Sequence, residues 1–445
     1  MTDPREGYKR YLWAPFTQMG DIDEEVEPLV IVSGEGARVT DSQGKEYIDG
    51  HAALWLANVG FGRQEIVEAA YEQLKRLSYF PSFAGMSNDV AVTLAERMVG
   101  MMEPEGMSRV FFSSGGSEAV ETALKMARQY WRLKGQDRKY KFISRKKSYH
   151  GVTMGALGAT GLVGNRRLFE PMVPGFRHIE APHCYHCPYG LQQDTCNLVC
   201  ANELERTIEF EGPDTVAAFI GEPVMGAGGV LVPPDGYWQE IERICRKYDV
   251  LLIADEVITG FGRTGEMFGC RHWGVRPDIM VLAKALTSGY LPLGATLTGE
   301  EIFEVCLGKH GEGKEFRHGN TYSGHPAACA AAMVNIDIIE REGLVAQSRD
   351  NGDYLLERLR ELEALPMVGN VDGLGLMARV ELVQEDGTTF PPADMVGLGV
   401  ARQLMRKGII LRALGDVISF SPPLVIDRDE IDAMVDALSE ILRDM

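Results

Sequence analysis

Short apolar runs alternate with helical patterns from Arg109 to Lys284, and this alternation constrains the fold more than any other feature of the chain. Residues 109–114 (RVFFSS) read as a strand. Residues 117–133 then read as a helix, with Ala119, Ala123, Met126, Ala127 and Tyr130 at helical spacing. Residues 216–224 read as a strand, 237–248 as a helix, and 250–257 and 279–283 as two more strands. Strands separated by helices argue a mostly parallel sheet covered on both faces.

The texture changes after Pro326. Helical patterns cover 327–340 and continue to about residue 362. Then come β-like segments at 375–383, 408–412 and 417–421, and a closing helix at 429–442. The predicted fold class is α/β. A large domain with the mostly parallel sheet spans 59–330, and a smaller α+β domain spans 331–445. An N-terminal segment, 1–58, joins the small domain through its β-like stretch at 29–47. A chain of 445 residues is long enough for both cores.

The formal net charge of −19 argues against nucleic acid or an anionic membrane as partner, since either demands a basic face. The start, MTDPREGYKRYLW, lacks the apolar stretch of a signal peptide, and runs such as 250–254 are too short to cross a bilayer. The expected compartment is the cytoplasm. Of eight cysteines, Cys245, Cys270, Cys306 and Cys329 are scattered and read as inert thiols. Cys184, Cys187, Cys196 and Cys200 cluster.

Three segments carry chemistry. In Phe111-Phe112-Ser113-Ser114-Gly115-Gly116-Ser117-Glu118 a strand ends in small residues and a helix begins, which makes an anion site from backbone N–H groups and the helix dipole. The plain alternative is an ordinary helix cap at Ser114 or Ser117. In Leu252-Ile253-Ala254-Asp255-Glu256-Val257 a carboxylate stands at the carboxyl end of an apolar strand, where open α/β sheets bind ligands. A protonated pyridine nitrogen would partner Asp255, and so would a metal or a structural salt bridge. Lys284 follows the apolar run Ile279-Met280-Val281-Leu282, and burial there would make it a better amine nucleophile; the alternative is a surface lysine. Together the three supply a phosphate grip, a pyridinium partner and a Schiff-base lysine.

In these segments the chain resembles the class III, or omega-type, aminotransferases of pyridoxal-phosphate (PLP) fold type I. The resemblance covers nearly the whole chain and rests on GEPVMGAGGV (221–230), DEVITGFGRTG (255–265), AKAL (283–286) and HGNTYSGHP (318–326). It implies PLP as cofactor, with Lys284 bonding it and shuttling a proton, and Asp255 pairing with its ring nitrogen. It assigns Gly115, Gly116 and Ser117 to the phosphate, Tyr149 to stacking on the ring, Val257 to the opposite face, and Glu222 to the ring's surroundings. Thr321 would reach the phosphate of a partner subunit, implying a homodimer with active sites at its interface, or a tetramer built from it. On the substrate side, Trp55 and Phe83 match pocket aromatics, and Arg412 matches a mobile arginine that binds a carboxylate acceptor. Without the family, Trp55 and Phe83 read as core aromatics and Arg412 as a surface ion-pair residue. His150 and His318 read as structural.

The implied reaction moves an amino group from a primary amine or omega-amino acid to a keto acid, with pyruvate as acceptor and alanine as product. Alternatives are a diaminononanoate-forming, 4-aminobutyrate- or taurine-type aminotransferase, or a PLP aminomutase, epimerase or decarboxylase on the same scaffold. A non-enzymatic metal-binding protein retaining the fold is the third class. Two departures from the family pattern stand out. Gly115 replaces a serine in the phosphate turn, and His183, Cys184, His186, Cys187, Cys196 and Cys200 form a cluster. At this spacing four cysteines suit zinc or an iron–sulfur cluster, or else a surface loop of free or paired thiols. The catalytic chemistry needs no metal, and none is assigned.

Overall fold

The computed structural model describes residues 3–22 and 27–445; residues 1–2 and 23–26 of the expected N-terminal segment lie outside the described residues. Strands β1 (Ile31–Glu35), β2 (Arg38–Asp41) and β3 (Glu46–Asp49) form an antiparallel meander. The central sheet follows: β4 (Arg109–Ser113), β5 (Lys141–Arg145), β6 (Phe176–Ile179), β7 (Val216–Gly221), β8 (Leu251–Asp255), β9 (Ile279–Leu282) and β10 (Gly294–Thr298). Its order is β4-β10-β9-β8-β7-β5-β6. The pairs from β9 through β6 are parallel, while β10 runs antiparallel between β4 and β9. The sheet is mostly parallel, as the alternation predicts.

β7, β8, β9 and β10 are buried along their whole length because helices cover both faces. Successive side chains point to opposite faces. Ala218, Ile220, Ile253 and Val281 share one core with Ala123, Ala127 and Trp131 of helix Gly116–Leu133. Phe219, Leu252 and Met280 share the other with Trp238 and Ile241 of helix Tyr237–Lys247 and with helix Pro326–Arg341. Each buried large aliphatic or aromatic side chain contributes roughly 1.5–3 kcal/mol. A one-residue slip would exchange the two faces, so the register is held firmly.

A second sheet, β11 (Val368–Gly373), β12 (Ala378–Leu382), β14 (Arg412–Leu414) and β15 (Val417–Phe420), has the order β11-β12-β15-β14 and is antiparallel. The single strand expected over 408–412 is in fact two. β13 (Ile409–Ile410) pairs in parallel with β3, and β14 belongs to the other sheet. Arg412 therefore stands where the chain changes sheets. The β13 pairing also puts the N-terminal meander in one sheet with a strand of the C-terminal region.

Three central strands end earlier than their apolar runs. β7 stops before Glu222, β8 stops at Asp255, and β9 stops two residues before Lys284. Lys284 has φ 43°, a left-handed backbone that ends any strand. All three side chains thus sit at carboxyl ends of parallel strands, the edge where open α/β sheets bind ligands.

Candidate active site

The carboxyl ends of β4, β7, β8 and β9 enclose a cavity of about 380 Å³ lined by Ser114, Gly115, Gly116, Ser117, Tyr149, His150, Glu222, Asp255, Val257 and Lys284. The chain visits this edge repeatedly because each parallel strand must return through a helix.

Lys284 is half-buried and lines the cavity. Burial pushes its pKa down to about 8, with Arg412 and Arg263 adding to the effect and Asp255 and Glu222 opposing it. Its amine lies 5.5 Å from the centroid of the Trp55 ring, and the Arg412 guanidinium lies 5.2 Å from the same centroid. The buried Trp55 ring thus has two cations within reach of its centroid. Its wall is strained: Ala52, Ala53 and Trp55 all have positive φ. The Asp49 carboxylate holds this turn by accepting from the His51 and Ala53 amides.

Asp255 is buried and engaged on both oxygens. Oδ2 lies 2.7 Å from Nδ1 of His150, and Oδ1 accepts from the Val257 amide at 3.2 Å. Glu222 is also buried. Its Oε1 accepts from the Tyr149 amide at 2.9 Å, while Oε2 has no partner. Burial pushes the Glu222 carboxyl up, against the pull of His150 and Arg145.

The anion end is built from close backbone approach. Helix Gly116–Leu133 starts at the cavity, so its first N–H groups lack intrahelical acceptors. A Cβ at Gly116 would meet Val257 at 3.3 Å. Gly151 has φ +117°, and a Cβ there would stand 2.5 Å from the Ser117 hydroxyl oxygen. That hydroxyl in turn accepts from the Val152 amide at 3.2 Å.

Arg412 is half-buried and makes no ion pair among the described residues. Burial pushes its pKa down, with Tyr149 opposing. Phe83 and Thr321 are not brought to this cavity within one chain. Phe83 is 43% exposed and lines a separate hollow with Phe111, Phe112 and His318. Thr321 is exposed, its carbonyl accepting from the Tyr79 hydroxyl at 2.6 Å. Phe83 packs on Gly319, in the same loop as Thr321.

His318 is satisfied structurally, by Thr122 and Lys125, as the sequence suggests. His150 is held in the structure by Asp255. Cys184, Cys187, Cys196 and Cys200 are free thiols. Burial pushes the Cys200 thiol up to about 12. Among the described residues no group of three or more His, Cys, Asp or Glu side chains is arranged to hold a metal ion. His183 and His186 instead face Glu381, at 3.8 and 2.9 Å.

The sequence model of the family described as "Aminotransferase class-III" matches residues 21–442. The chain belongs to the class III aminotransferases. It is 43% identical over 414 residues to the diaminobutyrate–2-oxoglutarate transaminase of Halomonas elongata, covering 91% of this chain and 88% of the relative. It is 42% identical over 423 residues to the putrescine–pyruvate aminotransferase of Pseudomonas aeruginosa, covering 95% and 91%. Among solved structures it is similar to an amine transaminase from an uncultivated Pseudomonas species in its PLP-bound form. There the TM-score is 0.94 at 41% identity, over 98% of this chain and 99% of the other. Class III aminotransferases depend on PLP, and this aminotransferase has the residues to take it. A helix start faces the cavity for an anion, a half-buried lysine for an aldehyde, a hydrogen-bonded aspartate for a ring cation, and Glu222 keeps a buried oxygen with no partner. No helix is long and apolar enough to cross a membrane among the described residues.

Proposed function

We propose that this aminotransferase moves the amino group of a primary amine or omega-amino acid to pyruvate, yielding alanine. The observation that carries the reading is Lys284: an amine desolvated enough to have a lowered pKa, lining the same cavity as Asp255. When bound, PLP supplies an aldehyde for the amine and an electron-withdrawing ring. Lys284 holds the cofactor and then moves a proton on and off the amine-bearing carbon, a task for which an uncharged amine is required. Asp255, braced by His150, keeps the ring nitrogen protonated. Gly115, Gly116 and Ser117 would hold the phosphate, and Tyr149 and Val257 would hold the ring. Glu222 orders the Tyr149 backbone.

Arg412 has no counter-ion among the described residues and beds on Trp55, so it is available to fork onto the carboxylate of the keto acid. When the donor lacks a carboxylate, it withdraws along the Trp55 ring. Thr321 and Phe83, exposed and outside the cavity of their own chain, serve the partner's site in a homodimer. The eight free cysteines suit the reducing cytoplasm. Pyruvate is favoured over 2-oxoglutarate by the likeness to the putrescine–pyruvate enzyme, while the diaminobutyrate relative points to 2-oxoglutarate.

The test is a visible absorption spectrum of the purified protein titrated with a panel of amines, then with pyruvate or 2-oxoglutarate. Amine-driven bleaching reversed by pyruvate supports the reading. Reversal by 2-oxoglutarate alone moves the acceptor assignment. A visible band that no amine alters overturns transamination of these donors.

A further inference from the structure

Arg263 is a fully buried cation with no ion-pair partner among the described residues. Its guanidinium donates to the carbonyl oxygens of Leu376, at 3.0 Å, and of Pro422, and to Oδ1 of Asn58 at 2.6 Å. These acceptors lie on three stretches distant in sequence: the wall that carries Trp55, the turn before β12, and the segment after β15. The junction is tied further. Asn58 donates to the Phe261 carbonyl at 2.8 Å, and the Asn58 carbonyl accepts from the Leu424 amide at 2.8 Å. Ser348 donates to the Arg263 carbonyl at 3.2 Å. Met377, next to Leu376, packs with Trp55. A buried charge with no counter-ion is costly, and neutral donors could close the same junction.

We propose that Arg263 is a positioning residue of the reaction: it clamps the Trp55 wall beside Lys284 and sets a fixed positive charge near that amine. The inference rests on Lys284 being the proton-transfer residue.

The charges around Lys284 support it. Asp255 and Glu222 favour an ammonium there, while burial, Arg412 and Arg263 oppose one. Of the two arginines, Arg412 is the mobile one in the proposed function, so Arg263 supplies the constant part of the field. His51 lies buried in the same region with both ring nitrogens unpartnered, and burial together with Arg412, Arg263 and Lys284 holds it neutral. Tyr149 is pushed up by burial and is also neutral. Burial pushes Arg263 itself down to about 9, with Asp49 opposing, so it stays charged at neutral pH.

Holoenzyme is prepared with Arg263→Met, Arg263→Lys and Asn58→Asp. Asn58→Asp keeps the side-chain size and the acceptor for Arg263, gives up the hydrogen bond to the Phe261 carbonyl, and sets a carboxylate against the guanidinium, offsetting its field even where Arg263→Met fails to fold. Removing the positive field makes Lys284 easier to protonate. The acid limb of the amine half-reaction therefore moves to higher pH, by about half a unit or more, in Arg263→Met and Asn58→Asp, and returns with Arg263→Lys. The resting visible band is titrated as a second readout and shifts in the same direction. Arg263→Met also raises the donor KM, as the Trp55 wall loosens. An acid limb and a resting titration that both stay in place in folded Asn58→Asp, with only thermal stability changed, overturn the proposal. Retained turnover in Lys284→Ala would instead remove the reading on which it rests.

Discussion

Nδ1 of His150 lies 2.7 Å from Oδ2 of Asp255, with both side chains buried. The other oxygen of Asp255 is held by an amide, so the carboxylate cannot rotate and presents one fixed face to the cavity. A hydrogen bond to a charged group is worth about 1.5–3 kcal/mol. His150→Ala should therefore lower kcat/KM by roughly 10- to 100-fold, and His150→Asn should recover part of the loss. Steady-state kinetics with circular dichroism as a folding control decide the matter; an unchanged kcat/KM returns His150 to a structural role.

Lys284 gives a prediction about stability as well as activity. Its folded pKa, about 8, lies below the value of about 10.5 for a free lysine. Between these two values the unfolded chain binds more protons than the folded one, so stability rises with pH across that window. Below it, the folded chain carries the full cost of a buried ammonium, of order 3 kcal/mol. Lys284→Met should abolish transamination yet raise the thermal midpoint of the cofactor-free protein at pH 7. A lower midpoint would show that Lys284 is better accommodated as a cation than its surroundings imply.

Arg412 separates the two half-reactions. Replacing it by Ala removes a charge-assisted fork worth about 1.5–3 kcal/mol, so the KM for pyruvate should rise roughly 10- to 100-fold. Bleaching by an amine without a carboxylate should stay within about twofold of the original rate. Stopped-flow measurement of each half-reaction tests this. Equal damage to both would mean that Arg412 shapes the pocket rather than binding acceptor.

Gly151 is required by its neighbour. With φ +117° and Ser117 Oγ 2.5 Å from any added Cβ, Gly151→Ala must displace Ser117 or bend the turn. The phosphate grip loosens, and the dissociation constant for PLP should rise about tenfold or more. Fluorescence titration of the cofactor-free protein measures it, and an unaltered constant would place the phosphate elsewhere.

Much of this was legible in the chain. The alternation of apolar runs and helical patterns determined a mostly parallel sheet, because runs of that length and spacing can bury both faces only beneath crossover helices. Asp255 and Lys284 could be picked out because ionisable groups at the ends of buried strands need a chemical reason to be there. Other features came only with tertiary structure. Nothing local in 408–412 shows that Ile409 and Arg412 enter different sheets: Arg412 turns back on Ser419 in a local hairpin, whereas the partner of Ile409, Ile48 of β3, is far away in sequence. Nothing in Tyr149-His150-Gly151 shows that His150 meets Asp255, 105 residues on. The placement of Phe83 and Thr321 outside the cavity, and the convergence of Asn58, Leu376 and Pro422 on Arg263, were likewise decided by long-range packing. Periodicity records what a residue does to its own strand or helix; hydrogen bonds and charges between distant segments are fixed only when the core brings those segments together.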